Sequence, residues 1–300
     1  MVKGRTLRAG EHAHAASGPL PANDPPVRLL DTAAGRVGVA EEGPADAPAV
    51  LCQHGIPGSA RDFRYLGPLL AKRLRVVRLE MPGFGSAPPG AVDTLAGWAA
   101  AAVAAADALG LQRFAVLGHS FGGGAALHAA ARAGARLTGA VLLASMGGRR
   151  HRGFLLPCGA YALAVRLAGH PRAWRPAAAT ARLAYRVNGL RPPADDAGLV
   201  LHMRLLASVD FGELTASAGR VAAPALVVHA ADDPLVEVDI ARALVRDFPN
   251  ASFVGLAGGG HHLNRTRPRE VAEAVLSLLA PASRDRGEKK PPRVAGAERR

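Results

Sequence analysis

The sequence predicts an α/β protein: a mostly parallel, twisted sheet flanked by helices, with a helical segment inserted late in the chain. Three observations carry that expectation. Short apolar runs rich in Val and Leu alternate with longer runs of helix-forming residues, the rhythm of βαβ units. Those apolar runs are nearly continuous, as strands buried on both faces require. Residues 147–215 then break the rhythm with helix-like pieces, prolines and arginines but no strong strand. With 300 residues, 49% hydrophobic and 20% charged, the chain can bury a sizeable core.

Taken in order, residues 37–40 and 49–53 read as strands and 60–72 as a helix. Residues 74–79 form a strand with a β-branched centre, 92–109 an alanine-rich helix and 114–117 a strand. A helix over 121–132 and a strand over 140–144 follow. Within the interruption, 161–168, 177–187 and 199–208 are helix-like, so we read it as a helical lid. Strands at 225–228 and 252–256 enclose a helix at 240–248. The last helix, 268–279, opens on proline, which suits the first turn. The expected organisation is a discontinuous core (27–146 and 216–281), a lid (147–215) and two disordered tails (1–26 and 282–300).

The net charge of +13 is unevenly placed. Residues 281–300 carry +4, residues 1–26 carry +1, and the lid, with ten arginines against four acids, carries +6. The rest is nearly neutral. A basic tail can bind nucleic acid weakly or simply be solvated, and no zinc-finger or RNP-like motif favours a specific nucleic-acid partner. The lid arginines suit an acidic substrate, an anionic membrane surface or a plain solvated face. No apolar run reaches membrane-spanning length and no secretory signal is evident. Two cysteines make a poor disulfide framework, so the expected location is cytoplasmic.

In such sheets ligands bind beyond the carboxyl ends of the strands, so candidate functional residues are those that follow a strand. Ser120 does so, within Gly118-His119-Ser120-Phe121-Gly122, between a strand and a helix. In the G-x-S-x-G pattern the serine occupies a strained turn that exposes its Oγ over the sheet edge. Glycines flank it because a Cβ there would meet the tight backbone. A serine nucleophile needs a base and a group to orient that base. Asp232 and Asp233 follow the strand at 225–228, and His261 and His262 follow the strand at 252–256. The order Ser, Asp, His matches the hydrolase arrangement in which that pattern occurs. Paired histidines also raise a metal site, but no HExxH or Cys/His ligand spacing accompanies them.

On these residues the chain resembles the α/β-hydrolase superfamily, in its lidded branch of cofactor-free serine hydrolases, over roughly residues 27–281. The resemblance implies Asp233 as the acid, because the family's Gly-x-x-Asp turn aligns with Ala230-Ala231-Asp232-Asp233. It implies His261, seven residues before Pro268, in preference to His262. The backbone N–H of Phe121, after the nucleophile, would be one oxyanion donor. The family's His-Gly-x-Pro turn matches His54-Gly55-Ile56-Pro57 and makes the N–H of Ile56 the second, with His54 a structural turn residue. A further family element, Asp-x-x-Gly-x-Gly-x-Ser, departs here to Glu80-Met81-Pro82-Gly83-Phe84-Gly85-Ser86. Relatives with an aspartate nucleophile are excluded by Ser120. Relatives with the acid one strand earlier are excluded by Ala144-Ser145-Met146-Gly147, which has no carboxylate.

The expected activity is hydrolysis of a small carboxylic ester, lactone or thioester through an acyl-enzyme on Ser120, without cofactor or metal. Alternatives with the same residues are an acyltransferase or perhydrolase, a carbon–carbon bond hydrolase, and a non-enzymatic ligand receptor. Leu155, Leu156, Tyr161, Trp174, Tyr185 and Met203 are the candidates for an apolar substrate pocket under the lid. A small molecule is the expected partner, and the sequence leaves oligomeric state open.

Overall fold

A computed structural model of the protein describes residues 24–187 and 192–280. The disorder expected for the two tails falls outside these residues, except at 24–26. There Asp24 accepts a hydrogen bond from Arg78 at 2.6 Å. Arg78 is a buried guanidinium, only 1% exposed, whose other partner is Glu42. A buried cation needs carboxylates around it, so the ordered fold begins earlier than its apolar pattern does.

Eight strands form one sheet: β1 (Arg28–Thr32), β2 (Gly35–Glu42), β3 (Ala49–Gln53), β4 (Arg75–Glu80), β5 (Phe114–His119), β6 (Leu137–Leu143), β7 (Ala225–Ala230) and β8 (Ala251–Leu256). Their spatial order is β1-β2-β4-β3-β5-β6-β7-β8. The β1–β2 and β2–β4 pairs are antiparallel and the others parallel. Between β3 and β5 the direction of chain progress across the sheet reverses, which opens a crevice at the carboxyl ends of those two strands.

The helices are α1 (Gly67–Leu70), α2 (Leu95–Ala108), α3 (Phe121–Ala133), α4 (Cys158–Leu167), α5 (Pro171–Val187), α6 (Asp196–Ala207), α7 (Phe211–Gly219), α8 (Val238–Asp247), α9 (Leu263–Thr266) and α10 (Pro268–Leu279). Two apolar clusters cover the two faces of the sheet. Leu51, Val116 and Leu142 point to one, with Trp98 of α2 and Leu127 of α3. Val50, Leu117 and Val141 point to the other, with Leu70 of α1 and Val275 of α10. The period-two alternation of these neighbours explains why the central strands read as unbroken apolar runs.

Three expectations need correcting. The helix expected over 60–72 is a 3₁₀ turn (Ala60–Phe63) followed by the single turn α1, with Pro68 at its start. The sequence does not predict the edge strand β1, because most of its side chains are exposed and carry no apolar alternation. The lid boundary at Thr215 falls inside α7, a helix packed on α3 and α8 of the core. Its Leu214 and Ala218 are buried in the core cluster, so the insertion proper is α4–α6.

Candidate active site

Strand β5 ends at His119 and α3 begins at Phe121, so Ser120 alone makes the turn. Its backbone lies at φ 56°, ψ −121°, a region L-residues rarely adopt, and a strained turn of this kind persists only where its surroundings hold it. They do so here. The Ser120 N–H donates to the carbonyl of Leu143 at 3.0 Å. A Cβ at Gly118 would lie 2.2 Å from the Gly122 carbonyl oxygen, and one at Gly122 would lie 2.2 Å from that of His54. The sequence motif also undercounts its glycines, since a Cβ at Gly123 would come within 2.2 Å of Ser145 Oγ.

Ser120 Oγ lies 2.8 Å from His261 Nε2, and His261 Nδ1 lies 2.8 Å from Asp233 Oδ2. The three side chains, 28 and 141 residues apart in sequence, thus form one hydrogen-bonded line. A carboxylate only accepts, so Nδ1 carries the proton and Nε2 turns its lone pair to the serine hydroxyl. The second oxygen of Asp233 accepts the N–H groups of Leu235 at 2.8 Å and Val236 at 3.0 Å. Burial opposes the Asp233 charge, yet the hydrogen bond and neighbouring ring of His261, with those two N–H groups, hold its carboxyl below the usual range.

The neighbours in sequence do other work. Asp232 accepts the N–H groups of Gly259 at 3.1 Å and Gly260 at 2.8 Å, closing the turn that delivers His261. His262 is exposed and begins α9. Among the described residues no group of three His, Cys, Asp or Glu side chains is arranged to hold a metal ion.

Sequence reasoning missed three supporting residues. His119 is buried, and its Nε2–H donates to the His261 carbonyl at 2.8 Å. Burial, then the adjacent His261 and His262, hold its pKa well below the ordinary value, so it stays neutral. His229 donates to the Val236 carbonyl at 2.9 Å, with the same nitrogen 3.6 Å from Asp233 Oδ2. Asn264 Nδ2 donates to the Asp62 carbonyl at 2.7 Å, tying α9 to the loop after β3. Nothing in the sequence ranks these positions, since eleven histidines are present and His119 occupies a variable place in its motif.

The loop after β3 faces the serine: a Cβ on Gly55 would lie 3.2 Å from Ser120 Cβ. His54 holds this loop from within. Its Nδ1–H donates to the Gly55 carbonyl at 2.7 Å, and its Nε2 accepts the Met81 N–H at 3.3 Å. Burial pushes its pKa down to about 4, so it is a neutral brace. Phe121 occupies the first turn of α3, where backbone N–H groups have no intrahelical acceptor and the helix end is partially positive. Glu80 also serves the scaffold. Its carboxylate accepts the Ala60 N–H at 3.2 Å and both the N–H and hydroxyl of Ser86, at 2.6 and 2.8 Å.

Above Ile56 lies a cavity of about 300 Å³ between α4, α5 and α6, lined almost wholly by apolar side chains and by no charged one. Leu155, Leu156, Tyr161, Tyr185 and Met203 line it, as the sequence led us to expect. Trp174 does not. Its Nε1–H instead donates to Asp196 at 2.8 Å, on a separate cleft.

Comparison with known proteins agrees with this architecture. The family model for the alpha/beta hydrolase fold matches residues 48–268. A curated protein from Caulobacter named "Putative carbamate hydrolase RutD" is 31% identical, over 79% of this chain and 93% of its own length. A Bacillus subtilis protein named "Uncharacterized hydrolase YugF" is 23% identical, over 77% of this chain and 89% of its own. Among solved structures, the enol-lactonase from Burkholderia xenovorans superposes with a TM-score of 0.67 at 18% identity, covering 84% of this chain and 99% of that one. The chain belongs to the α/β hydrolase family.

Proposed function

We propose that this protein is a serine hydrolase that cleaves a carboxylic ester, lactone or thioester whose apolar part fills the cavity above Ile56. The observation that supports this most is the unbroken line from Ser120 through His261 to Asp233. His261 Nε2 takes the Ser120 proton as Oγ attacks the carbonyl carbon. Asp233 holds the tautomer and stabilises the imidazolium. The N–H groups of Ile56 and Phe121 bind the developing oxyanion, Phe121 with the help of the helix N-terminus. His261 then protonates the leaving alcohol, lactone oxygen or thiol, leaving an acyl group on Ser120. Water, deprotonated by the same nitrogen, releases the acid and restores the serine. The inserted helices act as a lid that selects the substrate.

The similarity to proteins named for carbamates favours a second substrate class, because a carbamate presents the same kind of carbonyl to Ser120. The uncharged lining of the cavity favours the ester class with an apolar chain. One experiment separates these readings: hydrolysis of p-nitrophenyl esters from acetate to dodecanoate, and of a p-nitrophenyl carbamate, by wild type and Ser120→Ala. We expect turnover that rises with chain length to an optimum, slower release from the carbamate, and a loss of about 10⁶-fold in Ser120→Ala. Equal activity in both proteins overturns the assignment of Ser120.

A further inference from the structure

The outer surface of the insertion is unlike the rest of the molecule. Six large hydrophobic side chains are strongly exposed among the described residues, and five of them are Leu155, Leu156, Leu163, Leu183 and Val187. Leu155, Leu156 and Leu163 also line the cavity, so its apolar interior opens onto an apolar exterior. Helix α5 is built for two environments. Trp174, Ala178 and Tyr185 are buried against the protein. The opposite face carries Leu183 and Val187 one turn apart, beside Arg172, Arg175 and Arg186.

Arginine dominates this surface, although Arg149, Arg152 and Arg182 are paired with Asp239, Glu237 and Asp196. From residue 147 to residue 194 the sequence holds nine arginines and no Asp or Glu. Arg166, Arg172, Arg175 and Arg186 are exposed and form no ion pair with any described residue. Single exposed leucines are ordinary, but a cluster around a cavity mouth with an arginine rim marks a contact surface.

Charge and geometry select what the surface contacts. A second copy of the chain would bring arginines against arginines, which like-charge repulsion opposes. A small anionic substrate would need a cation inside the cavity, whereas the lining holds no charge and the arginines stand outside it. An anionic lipid surface satisfies both features at once. The leucines enter the acyl boundary, while arginine stems lie along it and their guanidinium groups reach phosphate. We propose that the outer face of α4 and α5 docks on an anionic phospholipid membrane, so that an amphiphilic ester passes from the interface directly into the cavity. Docking stands on this surface alone; delivery of an ester rests on the hydrolase reading above.

The test is co-sedimentation of the full chain with vesicles of phosphatidylglycerol and, separately, of phosphatidylcholine. Wild type should bind the first and not the second, with binding that weakens as salt rises. Arg172→Gln/Arg175→Gln/Arg186→Gln should lower affinity about 100-fold, from roughly a fivefold share per arginine held near the surface. Leu183→Ser/Val187→Ser should lower it about tenfold. Both variants should keep wild-type melting temperature and wild-type hydrolysis of a soluble acetate ester. Ser120→Ala should bind vesicles as wild type does while losing hydrolysis, whereas wild-type protein that binds vesicles but hydrolyses no ester sinks only the hydrolase reading. Docking is overturned by equal binding to both lipids, by no binding, or by wild-type affinity in the arginine variant. A concentration-dependent dimer dispersed by Leu183→Ser/Val187→Ser, without vesicle binding, would instead make this face a self-association surface.

Discussion

The sheet edge and the insertion handle polar groups in opposite ways. At the sheet edge nearly every functional atom is held. Ser120 is pinned by Leu143, His261 by Ser120, Asp233 and the Asp232 turn, and Asp233 by two N–H groups. Glycines at 118, 122 and 123 leave no room for a Cβ. The insertion has few such constraints. Alanines and leucines enclose its cavity, and several arginines on its outer face form no ion pair with any described residue. Reacting atoms tolerate little misplacement, so the rigid edge suits chemistry. Apolar surface is non-directional, so the insertion suits selection. On this division, changes at the edge should alter turnover for every substrate, and changes in the insertion should alter which substrate is preferred.

The largest expected break is Asp233→Asn. It should lower kcat by about 10⁴-fold across the whole ester series, because the histidine loses the partner that fixes its tautomer. The same residue carries a pH signature in stability. Its folded carboxyl lies below the ordinary value of 3.8, so its charge stabilises the fold above that value. That contribution is lost as the pH falls through the folded value. Urea unfolding should therefore find the stability gap between wild type and Asp233→Asn widest near neutrality and closing in acid. A gap that widens in acid would mean the Asp233 charge is not favoured by the fold.

Filling the cavity should have a smaller and selective effect. Ala181→Trp, on α5 and lining the cavity, should lower kcat/KM for dodecanoate by about 10–100-fold while acetate stays within about twofold. A uniform loss across the series would erase the division between the two regions.

The smallest effect should come from Asp232→Ala, which frees the turn before His261 without touching the reacting atoms. We expect kcat to fall about tenfold with KM unchanged, the signature of a positioning residue. A fall as large as that of Asp233→Asn would mean that the two aspartates share the role of acid.

The two regions also differ in how far the sequence disclosed them. Central strands such as β3 and β7 were legible because burial on both faces writes an unbroken apolar run. Ser120 was legible because its backbone demands glycines at fixed offsets, which sequence records directly. Asp233 and His261 followed from strand ends and from family spacing, and the structure brings His261 to Ser120 and Asp233 to His261. The exposed strand β1 and the supports His119, His229 and Asn264 were not legible. Strand β1 is mostly exposed and carries no apolar alternation, while each of the three supports is selected by a contact across 100 or more residues, or by an unremarkable place on a buried strand, that leaves no local pattern. The cavity was half legible. Its bulky lining residues stood out, but Ala160, Ala164, Ala177, Ala181 and Ala184 define its width and look like any helix interior.

The most direct measurement is labelling with a fluorophosphonate, located by mass spectrometry of the digested protein in wild type, Ser120→Ala and His261→Ala. The account predicts a single adduct on the peptide containing Ser120, absent in Ser120→Ala and formed far more slowly in His261→Ala. An adduct on another residue, or equal labelling in all three proteins, would contradict it.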